Sequence, residues 1–119
     1  MTLVAWYSVV VGLGMIGMWT VSLLRRQVPE LRDEPIRIGF HLAGEFMTAI
    51  ALLVAGSALL LNAGWAMGTS LAAMGMLLYT TVVSPGYFGQ KRQWPMVAFF
   101  GLLIVLTLAS IVWLVFEIT

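Results

Sequence analysis

This chain of 119 residues is 61% hydrophobic and only 9% charged, with a mean hydropathy of +1.02, which lies outside the usual composition of soluble globular domains. Its formal net charge of +1 gives no electrostatic basis for binding nucleic acid. The absence of cysteine excludes disulfides, thiolate metal ligands and thiol redox chemistry.

Apolar runs of about twenty residues recur along the chain, and each can cross the roughly 30 Å hydrocarbon core of a bilayer at about 1.5 Å rise per residue. We therefore predict an all-α integral membrane protein, a four-transmembrane-helix bundle with antiparallel neighbours and no soluble domain. This single domain would fill residues 1–119. The predicted helices are residues 2–24, 36–61, 66–83 and 96–117.

The first helix contains GLGMIG at residues 12–17, which fits the G-x-G-x-x-G pattern of dinucleotide-binding loops. Such a loop needs a preceding strand and a helix N-terminus with free N–H groups, whereas this segment lies in mid-span. We interpret Ser8, Gly12, Gly14 and Gly17 as small residues that let another helix approach closely. No cofactor is expected.

Similar small-residue surfaces recur on the second and third helices, at Ala51, Ala55, Gly68, Ala72 and Gly75. Small residues let helix backbones pack closely within a bilayer. Because so small a bundle can bury more surface by self-association, we predict a homodimer through glycine-rich helix faces.

Basic residues are confined to the first and third connections and their edges: Arg25, Arg26, Arg32, Arg37, Lys91 and Arg92. The positive-inside rule therefore predicts a multi-pass protein of the cell membrane, with connections 25–35 and 84–95 cytoplasmic and both termini outside. We expect connection 84–95 to be an interfacial segment bounded by prolines, and Trp19, Tyr87 and Trp94 to form an aromatic belt on that side.

The second helix carries a polar stripe. Arg37, His41 and Glu45 are spaced by four and share one face, with Thr48 one turn further on. Glu45 lies about 14 Å along the helix from Pro35, deep in the hydrocarbon. Because a carboxylate facing lipid there is costly, it should face the bundle interior or a water-filled cavity. These four polar residues are the predicted site for a ligand or a proton.

Three interpretations of the stripe stay open. His41 and Glu45 form a structural crosslink to groups such as Tyr79, Thr80 or Thr107. Alternatively, they line a cavity open to the cytoplasm, where Glu45 takes up and releases a proton or binds a cationic substrate while His41 relays it. The third is a metal or cofactor site. We expect no metal, because a closed site needs more ligands than this pair supplies.

The function favoured by the stripe is that of a small transporter or channel-like protein with a proton- or cation-binding carboxylate in the membrane. One alternative is a non-catalytic membrane subunit or interaction module, engaging a larger complex or anionic lipid. A second is a lipid- or quinone-acting membrane enzyme with His41 and Glu45 as an acid/base pair. Since no nucleophile constellation is present, no catalytic residue is predicted. The expected partners are the lipid bilayer and a small cationic or lipid-like ligand.

In size, span number and possession of a membrane-embedded glutamate, Glu45, the chain resembles the small multidrug resistance transporters. In that family the essential glutamate belongs to the first helix, which here has no acid. Members that insert in both orientations have balanced charge, whereas this chain is biased to one side. No site residue is therefore carried over. The four-span layout also resembles that of DoxX-like small membrane proteins.

Overall fold

The computed structural model describes residues 2–25 and 30–118. Every regular element in these two ranges is a helix: α1 (Thr2–Leu24), α2 (Glu30–Asp33), α3 (Pro35–Leu60), α4 (Ala66–Gln90) and α5 (Trp94–Ile118). All but the short α2 are long and apolar enough to cross a membrane. The prediction of four such helices is confirmed. Arg26, predicted to lie in the first basic connection, falls outside the described residues.

The four long helices form an elongated bundle of 46 × 22 × 20 Å. Helix α1 packs on α3, α3 on α4, and α4 on α5. Short connections, residues 61–65 and 91–93, make α3, α4 and α5 alternate in direction. Helix α1 runs antiparallel to α3, since Gly12 lies against Ala49 and Gly56 against Ala5. One end of the bundle, here named the basic end, therefore collects the described cations: Arg25, Arg32, Arg37, Lys91 and Arg92.

Helix α3 closes with a hydrogen-bonded turn at the opposite end. The N–H of Ala63 donates to the carbonyl of Ala58 at 2.9 Å, and that of Asn62 to Leu59 at 3.2 Å. These are the two bonds of a Schellman motif, which places the residue after the cap in the left-handed region. That residue is Asn62, with φ 55°. Asparagine tolerates this conformation better than most side chains.

Helix α4 does not end where the sequence predicted. It continues past residue 83 to Gln90, so the predicted connection 84–95 shrinks to residues 91–93. Pro85 lies inside the helix. The prediction was wrong because it treated this proline as a helix stop.

Burial on the last turns of α4 explains why the helix passes Pro85. A proline inside a helix costs about 3 kcal/mol. Phe88 is buried, with its ring 5.6 Å from that of Phe100 and 6.2 Å from that of Trp19. Burying a phenylalanine contributes about 1.5–3 kcal/mol, so this contact alone offsets much of the proline penalty.

Helices α1 and α3 touch backbone to backbone. A Cβ added at Gly12 would lie 2.9 Å from the carbonyl oxygen of Ala49. One added at Gly56 would lie 2.8 Å from the carbonyl oxygen of Ala5 and 2.6 Å from a methyl of Val9. Only glycine fits at these crossings, as the small-residue pattern predicted for Gly12.

Four other glycines have no such contact. A Cβ at Gly14, Gly17, Gly68 or Gly75 would meet nothing within 4 Å. The expectation that they bring helices together is therefore wrong within one copy of the chain. The homodimer through these faces stays a prediction.

Buried apolar side chains form two clusters, one above the other along the bundle. The cluster at the basic end is centred on Trp19 and includes Ile38, Leu42, Phe88, Phe100 and Leu103. The other lies toward the α3–α4 turn and includes Met15, Ala49, Leu52, Met74 and Leu77. On α3, the stretch between the two clusters carries Glu45.

Candidate functional site

Glu45 is buried between α1, α3 and α4 and is only 2% exposed. Its Oε1 accepts a hydrogen bond from the hydroxyl of Ser84 on α4 at 2.8 Å. Its Oε2 accepts one from the indole N–H of Trp19 on α1 at 3.3 Å. One carboxyl group thus connects three helices.

His41 lies one turn from Glu45, with its Nε2 3.7 Å from the Oε1 of that residue. This distance is too long for a hydrogen bond. The Nε2 atom is buried and, among the described residues, has no hydrogen-bond partner. The imidazole is held by aromatic rings instead: Trp19 meets it edge-on at 5.5 Å and Tyr87 stacks on it at 6.0 Å.

A crevice between α3 and α4 leads from the basic end to this pair. Its volume of about 1000 Å³ lies at the upper end of the range for small-molecule sites. On α3 its lining reaches Thr48, and on the other wall it extends from Lys91, the residue after the end of α4, along α4 to Met76. These stretches correspond to about 20 Å along each helix.

The crevice is open along one side of the bundle. Its rim is formed by Phe40 and Met47 on α3 and by Tyr79 on α4, which are 78%, 61% and 70% exposed. Between the rims lie Gly44 and Gly86, where an added Cβ would meet nothing within 4 Å. The groove therefore faces whatever surrounds the bundle, along its length as well as at its end.

The structure brings the four predicted site residues into one crevice, but in different roles. Thr48 is buried in the wall, and its hydroxyl donates to the carbonyl of Gly44 at 2.8 Å. Arg37 lies at the basic end and donates to Glu34 at 3.3 Å, with its side chain 81% exposed. It therefore marks the mouth of the crevice and does not contact Glu45.

At the mouth, α4 places a cation directly over the aromatic wall. The ammonium of Lys91 lies 2.6 Å from the hydroxyl of Tyr87 and 4.1 Å from the centre of its ring. An ammonium over a ring face is attracted by the ring quadrupole. From Lys91 through Tyr87 and His41, a continuous line of polar and aromatic groups thus leads inward to Glu45.

Sequence reasoning missed the two partners of Glu45. Ser84 was assigned to a connection because α4 was predicted to end at residue 83. Trp19 was assigned to an interfacial belt, which is wrong, because it is only 2% exposed. A usable signal existed for Trp19, since Ser8, Gly12, Met15 and Trp19 follow each other at four- and three-residue intervals and form one buried face of α1.

The crosslinking partners suggested by the sequence lie elsewhere. Tyr79 is on the exposed rim, and the hydroxyl of Thr80 returns to the carbonyl of Leu77 on its own helix. Thr107 lies 2.8 Å from the hydroxyl of Tyr7, which connects α5 to α1. The interpretation of Glu45 as a crosslink stays open, with Trp19 and Ser84 as its partners.

The arrangement offers hydrogen bonding and proton exchange. A carboxyl group beside an imidazole can accept and release a proton, and Tyr87 with Lys91 continues the polar line toward the mouth. Within residues 2–25 and 30–118, no group of three or more His, Asp or Glu side chains is placed to hold a metal ion.

The whole chain, residues 1–119, matches a protein family described as a domain of unknown function, DUF8058. No curated protein and no solved structure matches the chain. Because the family match covers its full length, the chain belongs to the DUF8058 family.

Proposed function

We propose that this protein is an integral membrane protein whose four long helices cross the bilayer, with the basic end cytoplasmic and both termini outside. Large apolar side chains cover the outside of the bundle, including Leu13, Val54, Val105 and Val112. Water penalises so extended an apolar surface, whereas hydrocarbon does not. The clustering of basic residues at one end supports the proposed orientation.

Within this bundle, Glu45 is the proton-binding carboxyl group of a small transporter or channel-like protein. The observation that carries this proposal is a buried carboxyl group on the wall of an open crevice, beside an imidazole nitrogen that has no hydrogen-bond partner among the described residues. At 3.7 Å, His41 Nε2 is close enough to pass a proton to Glu45 through a small side-chain movement or one bridging water. Ionisable residues inside a membrane usually mark such pathways.

In this conformation, the crevice connects Glu45 to the basic end of the bundle and not to the opposite end. Beyond it, toward the α3–α4 turn, the bundle is filled by Ala49, Leu52, Met74 and Leu77, each at most 1% exposed. An apolar layer of this kind blocks water and protons. Transport therefore requires a second conformation that opens the other side, as alternating access demands.

The test is proton uptake into liposomes that contain the purified protein and an entrapped pH-sensitive dye. With an imposed pH gradient, we expect uptake above that of protein-free vesicles, and loss of this excess in Glu45→Gln. Glu117→Gln, which changes an exposed acid near the chain end, is the matched control and should behave as the unchanged protein. Equal uptake by Glu45→Gln and the unchanged protein, or no uptake above empty vesicles, would contradict the proposal.

A second candidate is a non-catalytic membrane subunit in which Glu45 is a polar crosslink. The hydrogen bonds from Trp19 and Ser84 favour it, because they join α1 and α4 to one group on α3. On this alternative, Glu45→Gln lowers stability and leaves proton uptake unchanged. Measuring unfolding and uptake on the same preparation separates the two candidates.

A further inference from the structure

The shape of the crevice matches one leaflet of a bilayer. It starts at the basic end, runs about 20 Å along α3 and α4 and stays open on its side. Half of the roughly 30 Å hydrocarbon core plus the headgroup layer spans a similar depth. In a membrane, the rim residues Phe40, Met47 and Tyr79 would face lipid, so a molecule in the leaflet can enter sideways.

The mouth of the crevice is positively charged. Arg37 and Lys91 both line it, accompanied by the amide of Gln90 and one acid, Glu34. The ion pair of Glu34 with Arg37 is exposed, and such pairs contribute little, so Arg37 is free to turn toward a ligand. Lys91 is already held at the mouth by Tyr87. An organic cation would be repelled there, whereas an anionic group would be attracted.

The middle of the crevice suits a hydrocarbon chain. Both oxygens of Glu45 accept hydrogen bonds from Trp19 and Ser84, and its side chain is only 3% exposed. The exposed part of the lining at this depth includes Gly44, Gly86 and apolar side chains such as Val83, with the half-buried His41 beside them. No side chain projects from either glycine to close the channel between the rims.

From this combination we infer that the crevice binds one anionic membrane lipid, with its headgroup at Arg37 and Lys91 and an acyl chain lying between α3 and α4. The inference rests on the proposed function only for placing the bundle in a bilayer. It gives a ligand class for the crevice that does not depend on whether Glu45 exchanges a proton. A lipid seated there would cover the open side of His41.

The test is native mass spectrometry of the protein in mild detergent, titrated separately with phosphatidylglycerol and phosphatidylcholine. We expect one phosphatidylglycerol to be retained in preference to phosphatidylcholine. Lys91→Gln and Arg37→Gln should each weaken this retention about fivefold, because a basic residue near an anionic lipid surface contributes about 1 kcal/mol. Arg92→Gln and Arg32→Gln remove exposed cations at the same end but outside the crevice, and should leave retention unchanged.

A second variant fills the crevice without touching its charge. Gly44→Leu places a side chain in open space, so the helices need not move, and it should abolish retention. Gly101→Leu on α5 adds the same side chain at another open glycine outside the crevice and should have no effect. Glycerol 3-phosphate, which carries the anion without a chain, should not displace the lipid.

The inference would be overturned by equal retention of the two lipids, by equal weakening in Arg92→Gln and Lys91→Gln, or by normal retention in Gly44→Leu. Displacement by glycerol 3-phosphate would also overturn it, since it would show a site for a free anion. Glu45→Gln keeps the shape and charge of the mouth and should retain the lipid. If lipid binding fails while Glu45-dependent proton uptake is intact, this inference alone is rejected. If the lipid is retained as expected while proton uptake does not depend on Glu45, the proposed function alone is rejected.

Discussion

The two interfaces that α3 makes use glycine in opposite ways. At the interface with α1, Gly12 on α1 and Gly56 on α3 bring two backbones into contact and leave no room for a Cβ. At the interface with α4, Gly44 on α3 and Gly86 on α4 border a crevice in which a Cβ would meet none of the described residues within 4 Å. The same residue type thus closes one interface and keeps the other open. A glycine in an apolar helix leaves space beside the backbone. Whether that space is filled depends on how closely the neighbouring helix packs against it.

The two interfaces also differ in what holds them together. The α1–α3 contact is close packing of small side chains and backbone, with Ala5, Ser8 and Ala49 fully buried. Beside the crevice, α4 is joined to α3 by a hydrogen bond from Ser84 to Glu45. We therefore expect variants of the α1–α3 interface to lower stability most. Variants of the α3–α4 interface should act through the hydrogen bonds of Glu45.

The largest effect on stability is expected for Gly56→Ala. Its new methyl group would lie 2.6 Å from Val9 and 2.8 Å from the backbone of Ala5, so the helices must separate. Overpacking of this kind costs about 1–3 kcal/mol. Thermal unfolding in detergent micelles, followed by circular dichroism, should show a lower midpoint. Gly17→Ala, at an open position of α1, is the control and should be neutral or slightly stabilising.

Removing the hydroxyl that binds Glu45 should have the next largest effect. Ser84→Ala deletes the 2.8 Å hydrogen bond and leaves a buried oxygen without that donor, at a cost of about 1–3 kcal/mol. Ser57→Ala, on an exposed surface of α3, is the matched control. If both serine variants unfold at the same temperature as the unchanged protein, the α3–α4 link contributes nothing to stability.

The hydrogen bond from Trp19 should contribute less than that from Ser84, and Trp19→Phe tests this. Phenylalanine keeps an aromatic ring among His41, Tyr87 and Phe88 but cannot donate to Glu45. Because the deleted bond is long, at 3.3 Å, its loss should lower the free energy of unfolding by about 0.5–1.5 kcal/mol, and the volume lost from this buried site adds a cavity cost. Trp94→Phe, at an exposed tryptophan, is the control and should leave the free energy of unfolding unchanged. A cost above that of Ser84→Ala would show that ring packing, and not the hydrogen bond, was disturbed.

The smallest effect is expected for Glu34→Gln at the mouth of the crevice. It breaks an exposed ion pair with Arg37, and exposed pairs contribute about 0–1 kcal/mol. Unfolding should be nearly unchanged. Retention of phosphatidylglycerol should rise, because one acid at the mouth is removed. Weaker retention would mean that Glu34 positions Arg37 for the headgroup.

The sequence predicted the four long helices well because apolar runs of bilayer length leave few alternatives. It also predicted that Arg37, His41, Glu45 and Thr48 share a face, since the spacing of a helix determines this directly. Because a carboxylate facing lipid is costly, the sequence also predicted that Glu45 faces the bundle interior or a cavity. It could not predict that Arg37 pairs with Glu34, or that Trp19 and Ser84 donate to Glu45. Those partners depend on which groups surround each residue, which helical spacing does not specify.

The end of α4 shows a second limit of prediction from the sequence. Pro85 and the polar residues after it are typical of a connection, and local rules favoured one. Tertiary burial of Phe88 against Phe100 and Trp19 prevailed over that local preference. The same error hid Ser84 as a partner of Glu45, because a residue assigned to a connection was not placed on the face of a helix.

Infrared difference spectroscopy tests most directly whether Glu45 exchanges its proton with the solvent through the crevice. We expect the C=O stretching band of a protonated carboxylic acid to appear as the pH is lowered and to disappear as it is raised again. Because every acid of the chain contributes to such a band once it is protonated, Glu45→Gln should lack one component of the band, and Glu117→Gln should keep that component. A carboxyl band that stays constant over the whole range in which the fold is intact, or one that is unchanged in Glu45→Gln, would contradict the claim.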